Sequence, residues 1–333
     1  MDRTVVQVWR DLRTLPENPK QLTILMILGG QPKRRHHHVW QYYLRAWESN
    51  GVVACRRDGR VFSTGTEVLG VKKDLYRIKH PTEAEIDLLA KLCFPENMNP
   101  LLRKLNGGWL PVFLGPMTLE RLAVRLGSEH DTEISRILEL ARSNTEEDLH
   151  MVIESDSIAN LNALRTENLS FLADEDERGQ FLHFLATQDF RTQGKHQKMV
   201  RSVDGLIADI SFDNIIAPMT HIFATNVAFG LMRRWETTRV TLLKTEGDAN
   251  FITGGQPVFN SHAVGLALGE LVDEIQYYFP VSPSLALLWD AHAPEASVAV
   301  EIVGRDRVEE CNAWVESSSW EQVYAKHEAT LRE

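Results

Sequence analysis

Arg34-Arg35-His36-His37-His38-Val39-Trp40-Gln41-Tyr42-Tyr43-Leu44-Arg45-Ala46-Trp47 carries three consecutive histidines straight into an amphipathic segment. Imidazoles crowded beside two arginines repel one another once protonated, so the run needs an anion, a metal or a hydrogen-bond network to compensate it. Residues 39 to 48 read as a helix, and Ser49-Asn50-Gly51 turns the chain. Val52-Val53-Ala54-Cys55 and Val61-Phe62-Ser63 then bracket Asp58-Gly59, the signature of a β-hairpin. A helix followed at once by a hairpin sets the expectation of a mixed fold.

Upstream, residues 1 to 33 read as an N-terminal extension or connector, with a short helix over 4 to 13 stopped near Pro16. Met26 offers a second start, which would make residues 1 to 25 dispensable. The apolar stretch Leu22 to Leu28 is too short to span a bilayer, and no small-residue cleavage site follows it. Downstream, Thr82 precedes Glu83 and Glu85 as a cap for a helix running through Phe94, which Pro95 and Pro100 end. Gly107, Gly108, Pro111, Gly115 and Pro116 read as a loop. Apolar spacing predicts helices at about 118 to 127, 131 to 142, 145 to 154, 157 to 164, 175 to 190 and 214 to 235. Strands are expected at Thr238 to Lys244, Phe251 to Thr253, Leu285 to Trp289 and Val298 to Val303, and helix over 306 to 330. The economical arrangement is a single helix-rich α+β domain over 34 to 330, with a small antiparallel sheet formed from the N-terminal and C-terminal strands.

With 333 residues, 43% of them hydrophobic and 25% charged, the chain has ample material for a core. Cys55, Cys93 and Cys311 are odd in number, far apart and without CxxC spacing, which excludes a disulfide framework or a zinc knuckle. A reducing, cytoplasmic setting without a membrane follows as the expectation. The net charge of -10 is unevenly spread. Residues 1 to 80 hold 15 Lys and Arg against 7 Asp and Glu, whereas residues 129 to 177 hold 14 acids against 3 bases. Basic character returns at Arg178, Arg191, Lys195, Lys198 and Arg201. Either the basic segments dock on the acidic middle, or both line a groove for a polyanion.

His37-His38-Val39-Trp40-Gln41-Tyr42-Tyr43-Leu44 resembles the HxVPQxYL motif that opens the proteins of domain-of-unknown-function family 4238. Gln188-Asp189-Phe190-Arg191-Thr192 resembles the central QxxRT helix of that family, Phe251 to Pro257 its FxTSDxP strand and turn, Phe279 to Pro283 its PLSP segment, and Asn312 falls in its closing helix. The resemblance spans roughly 34 to 330. It departs at Trp40 and Gln193, where proline is usual, and at Gly255, where the family carries aspartate. If that aspartate serves as a ligand or base in relatives, this chain lacks it. The resemblance implies a layout and candidate residues, and no reaction.

On a helix, His37 and Gln41 share a face, as do Gln188 and Arg191. A histidine beside an amide suits proton transfer at neutral pH, and an arginine beside a glutamine suits capture of phosphate or carboxylate. His37 and Arg191 are therefore the candidate catalytic residues, with His36, Gln41, Gln188 and Arg45 as ligand-binding candidates. The expectation is one cleft holding His37, Gln41, Gln188 and Arg191 with a carboxylate in reach. Adjacent histidines point apart, so His36, His37 and His38 cannot all converge on a metal. His183, His196, His221 and Asp290 with His292 are candidate further ligands, but none has a recognised spacing, and no metal ligand set is assigned. The cofactor stays open, with a divalent ion as a minor option.

GxxxxGK[ST], GxGxxG and GxSxG are all absent, which argues against nucleotide binding or acyl transfer by those routes. Trp289-Asp290-Ala291-His292 reads as a polar turn, and the tryptophans as core. Two functions remain in view. One is a binding or regulatory protein with a His/Arg-containing cleft for an anionic ligand, favoured by the acidic total charge and the missing carboxylate at Gly255. The other is a hydrolase, a nuclease or related phosphodiester-cleaving effector of a defence or toxin-like system, with His37 as acid/base and Arg191 holding phosphate. Oligomeric state is left open.

Overall fold

A computed structural model describes residues 30 to 332 apart from 129, 204, 206, 208, 268, 269 and 271, so the expectations for residues 1 to 25 lie outside the described residues. Strand β1 (Arg35–His37) leads into helix α1 (Gln41–Leu44) and a single 3-10 turn, Arg45–Trp47. The hairpin forms as expected from β2 (Val53–Arg57) and β3 (Arg60–Thr64). Its two turn residues, Asp58 (φ 52) and Gly59 (φ 72), both adopt the left-handed conformation that a tight turn of this hand requires. Strand β4 (Val71–Lys73) returns to pair with β1.

A helical block follows: α2 (Glu83–Cys93), α3 (Pro100–Gly107), α4 (Trp109–Arg125), α5 (Thr132–Asp156), α6 (Ile158–Arg165), α7 (Glu175–Phe190), α8 (Gln193–Val203) and α9 (Ile216–Arg233). Thr82 caps α2 through a reciprocal capping box with Glu85. Helix α7 is buried on almost every side from Arg178 to Asp189, which makes it the central helix, and α9 packs along it.

Two elements differ from the periodicity. The expected loop around Pro111 and Pro116 is helix α4. Pro111 sits in the first turn, where its missing amide has no intrahelical partner to lose, and Pro116 is held by burial together with Phe113 and Met117. The expected break at 142 to 145 is absent, and α5 runs on for 25 residues. Its polar residues there are consumed by the preceding segment of chain. The Lys33 amide donates to Asn144 Oδ1 (2.7 Å), the Asn144 side-chain amide donates to the Gln31 carbonyl (3.3 Å), and Arg77 donates to Ser143 Oγ (2.7 Å).

The C-terminal third supplies β5 (Arg239–Thr245), β6 (Thr253–Gly254), β7 (Phe259–Asn260), β8 (Gln276–Ser282), β9 (Leu285–Asp290), β10 (Ser297–Val303), α10 (Arg305–Ser318) and β11 (Gln322–Ala325). The fold is α+β. One antiparallel sheet, in the order β3-β2-β11-β6, joins the N-terminal hairpin to C-terminal strands, with Tyr324 facing Cys55 on one side and Thr253 on the other. A second sheet runs β10-β5-β9-β8-β7, in which β10 lies parallel to β5. Strand β8 escapes the sequence pattern because Pro280 interrupts it, and a register shift between Pro280 and Ser282 accommodates the missing donor. Helix was expected through 330, but the chain leaves α10 after Ser318, turns at Glu321 (φ 60) and becomes the strand between β2 and β6.

The opening segment is locked to this sheet system. Tyr43 and Trp47 are buried, Trp47 Nε1 donates to the Phe251 carbonyl (2.9 Å), and Tyr43 stacks on Phe279 with ring centroids 5.3 Å apart. Gly255 follows β6 against β11, its amide donating to the Gln322 carbonyl (2.8 Å). A Cβ there would stand 2.5 Å from the Trp320 carbonyl oxygen, which is backbone and cannot rotate away. Gly255→Asp is therefore expected to cost about 1–3 kcal/mol through overpacking. Chemical denaturation of the variant beside the parent measures it, and equal stability would contradict the close approach.

Candidate functional site

Strand alternation sorts the three histidines. His36 and His38 turn inward and are buried, and His37 between them is half-buried. His36 Nδ1 accepts the Tyr76 amide (2.7 Å), so the ring proton sits at Nε2 and donates to the Lys33 carbonyl (3.0 Å). Its ring also stacks on Tyr76 at 5.4 Å. The His36 side chain is thus fully engaged within the fold.

His37 faces a cleft of about 300 Å³ between the β1–α1 segment and α5. Gln41, Arg45, Trp40 and Lys33 line it from one side, Glu147, Met151 and Glu154 from α5, and Arg191 from the end of α7. His37 and Gln41 meet, with 2.6 Å between Gln41 Nε2 and His37 Nε2. They do so across a turn rather than along a helix, because His37 ends β1 and the extended Trp40 (ψ 127) precedes α1. Burial lowers the His37 pKa, with Glu147 opposing, so the imidazole is neutral at pH 7 and accepts from Gln41. Arg45 is exposed and, among the described residues, its guanidinium makes no hydrogen bond or ion pair. Among the described residues the buried Glu147 Oε2 has no hydrogen-bond partner either.

Arg191 lines the same cleft but is only 3% exposed. Its Nη1 is paired with Glu154, its Nη2 donates to the His37 carbonyl, and its Nε donates to the Tyr76 hydroxyl (3.0 Å). The Tyr76 hydroxyl returns its proton to the Arg191 carbonyl (3.0 Å). Burial alone disfavours the guanidinium charge, but Glu154, Tyr76 and Glu147 outweigh it and keep the group protonated. Burial pushes the Glu154 carboxyl up to about 7 in spite of Arg191. Of the sequence candidates, the cleft gathers His37, Gln41, Arg45 and Arg191. Gln188 is buried in α7 and does not line it, and His36 lies behind it.

Behind the cleft, on the adjoining face of α5, lies a second polar group. Glu146 and His150 from α5 and His221 from α9 each offer one donor atom, all within 4.8 Å of one another, as a metal ion would need. Sequence reasoning named His221 and missed Glu146 and His150, although their spacing of four within a helix was available as a signal. A cavity of about 320 Å³ reaches Glu146 and His196, and its rim carries Lys72, Lys73, Arg77, Lys79 and Arg201. The docking expected from the charge pattern is visible in two ion pairs. Lys33 pairs with Asp148 and Arg77 with Glu139 (2.6 Å), docking the basic end on the acidic helix. The two basic segments also meet at this cavity.

The fold and this layered site describe an α+β protein with a ligand-sized cleft beside a buried polar layer. The chain belongs to the family described as Protein of unknown function (DUF4238), whose model matches residues 35–329. No curated protein and no solved structure matches the chain.

Two outcomes follow from the geometry. Arg191→Ala leaves Glu154 as an unpaired buried acid and removes three anchors at once, so a loss of about 3–5 kcal/mol in unfolding free energy is expected. Arg191→Lys should not rescue it, since an ammonium cannot reach three partners in a plane. The second concerns pH. Burial holds His38, His183, His196 and His221 near 3 and His150 well below its usual value, whereas it raises Glu146 to about 8 and Glu154 to about 7. As pH falls from 6.5 to 4.5, the unfolded chain takes up protons at five histidines, against two that the fold already holds on its carboxyls. The unfolded state gains by about three protons, so stability falls with pH across this window. Denaturation midpoints in metal-free buffer should drop steeply between pH 6.5 and 5, and a flat profile would contradict neutral buried imidazoles.

Proposed function

We propose that this protein is a binding or regulatory module whose cleft takes a small molecule bearing both an anionic group and a hydrogen-bond donor. The observation that carries the reading is a pair of groups in one cavity that have no partner among the described residues, the Arg45 guanidinium and one Glu147 oxygen. Lys33 is occupied by Asp148 and Arg191 by Glu154, which leaves Arg45 to meet the anion. The neutral His37 offers a proton-transfer group to a ligand that displaces the Gln41 amide from its Nε2, and Trp40 with Tyr42, ring centroids 5.1 Å apart, adds an apolar wall. About 300 Å³ suits a small molecule rather than a duplex. Three buried free cysteines favour a reducing, cytoplasmic setting, and among the described residues no helix is long and apolar enough to cross a membrane.

A second reading, phosphodiester hydrolysis, draws on Glu147 standing in the same cleft as His37, a carboxylate and an imidazole in reach of one ligand. Calorimetric titration against a panel of phosphorylated and carboxylated small molecules tests the first reading. A hit is expected to weaken roughly 10- to 100-fold in Arg45→Ala, the loss for a hydrogen bond to a charged group, with the fold intact because Arg45 is exposed. Unchanged affinity in that variant removes the proposal. Plasmid and RNA incubated with divalent ions, and with His37→Ala in parallel, separate the second reading, which fails if neither is cut.

A further inference from the structure

The layer behind the cleft contains a cluster that the proposed ligand site does not use. Glu146, His150 and His221 are 1%, 1% and 2% exposed. Among the described residues, Glu146 Oε1 and both ring nitrogens of each histidine lack a hydrogen-bond partner. An unsatisfied buried polar atom costs about 1–3 kcal/mol, so five of them on three neighbouring side chains demand a physical reason.

The distances supply one. His221 Nε2 lies 3.5 Å and His150 Nε2 3.7 Å from Glu146 Oε1. These separations are too long for good hydrogen bonds. They are near the edge of about 3.3 Å expected for a tetrahedron of ligands with metal bonds of about 2.0 Å. Two imidazoles and one carboxylate, with a position left over, form the donor set of open zinc-type sites.

We propose that Glu146, His150 and His221 bind one divalent transition-metal ion of the zinc class, with its remaining coordination position directed to the basic cavity that Glu146 borders. One ion satisfies three of the five unpartnered atoms together. The surroundings favour retention. Tyr76 covers His150 at 4.6 Å between ring centroids, and Trp109 and Phe113 each cover His221 at 5.0 Å, so water reaches the group through the cavity side. Each histidine presents a ring nitrogen to the Glu146 carboxylate oxygen, so one ion between them would meet two lone pairs and an anionic oxygen at once. Arg191 acts against a second positive charge here, and its pairing with Glu154 offsets that repulsion. Lys72, Lys73 and Arg201 on the rim would place an anionic metal-bound ligand between the ion and fixed positive charge.

Cobalt titration of the chelator-treated full chain tests this. Visible d–d bands of a tetrahedral ion should grow to saturation at a single cobalt per chain and be displaced by zinc. Glu146→Gln and His221→Gln should each weaken cobalt by more than the roughly 10- to 100-fold that an outer-shell partner is worth. Arg45→Ala should bind cobalt as the parent does, which separates this site from the cleft. Parent protein that is folded yet shows no saturable cobalt spectrum overturns the proposal, whatever the fate of the variants. A sulfur charge-transfer band, placing the ion on a cysteine, or a folded His221→Gln with parental affinity, also overturns it.

Discussion

The Arg191 guanidinium is the constraint on which the arrangement around α5 depends. A buried cation persists only if each of its donors finds a partner, and those of Arg191 reach three different parts of the chain. Glu154 belongs to α5, the His37 carbonyl to β1, and Tyr76 to the segment after β4. Arg191 itself ends α7. One side chain therefore joins the central helix, the long acidic helix and the N-terminal strand pair. The histidine run tolerates its own charge problem because of this frame. Its members are sent in alternate directions, and His36 and His38 are buried while only His37 is left at the cleft.

Helix α5 has two working faces because 3.6 residues make a turn. Glu147, Met151 and Glu154 look into the cleft, and Glu146 and His150 look into the polar layer. The acidic composition of residues 129 to 177 thus has three local uses: docking of the basic N-terminal segment through Glu139 and Asp148, pairing of Arg191 through Glu154, and provision of donors on both sides. Charge segregation along the sequence becomes charge pairing in space, and what is left unpaired marks the two cavities.

Local physics made part of this legible. The Asp58-Gly59 hairpin, the Thr82 capping box and the helices α7 and α9 each follow from short-range rules that the surroundings did not overturn. The errors have a common origin. Pro116 in α4, the polar stretch at 142 to 145 and the proline in β8 all look like interruptions until neighbours supply burial, hydrogen bonds or a register shift. The strand at Gln322–Ala325 exists only because β2 and β6 flank it. Gln188, by contrast, was expected beside Arg191 at the cleft, and the tight packing around α7 keeps it inside.

From the residue string alone came the α+β class, the hairpin and the family layout, because each is written in spacing or in a motif, whereas His37 and Gln41 were paired by a helical spacing that the turn between them replaces. Only the folded chain decided that Arg191 is tied up by Glu154, that Arg45 finds no partner among the described residues, and that Glu146 and His150 meet His221. Those facts depend on long-range approach and on burial. Whether a charged side chain is spent or available is settled by which distant neighbours exclude water from it, and no local pattern encodes that.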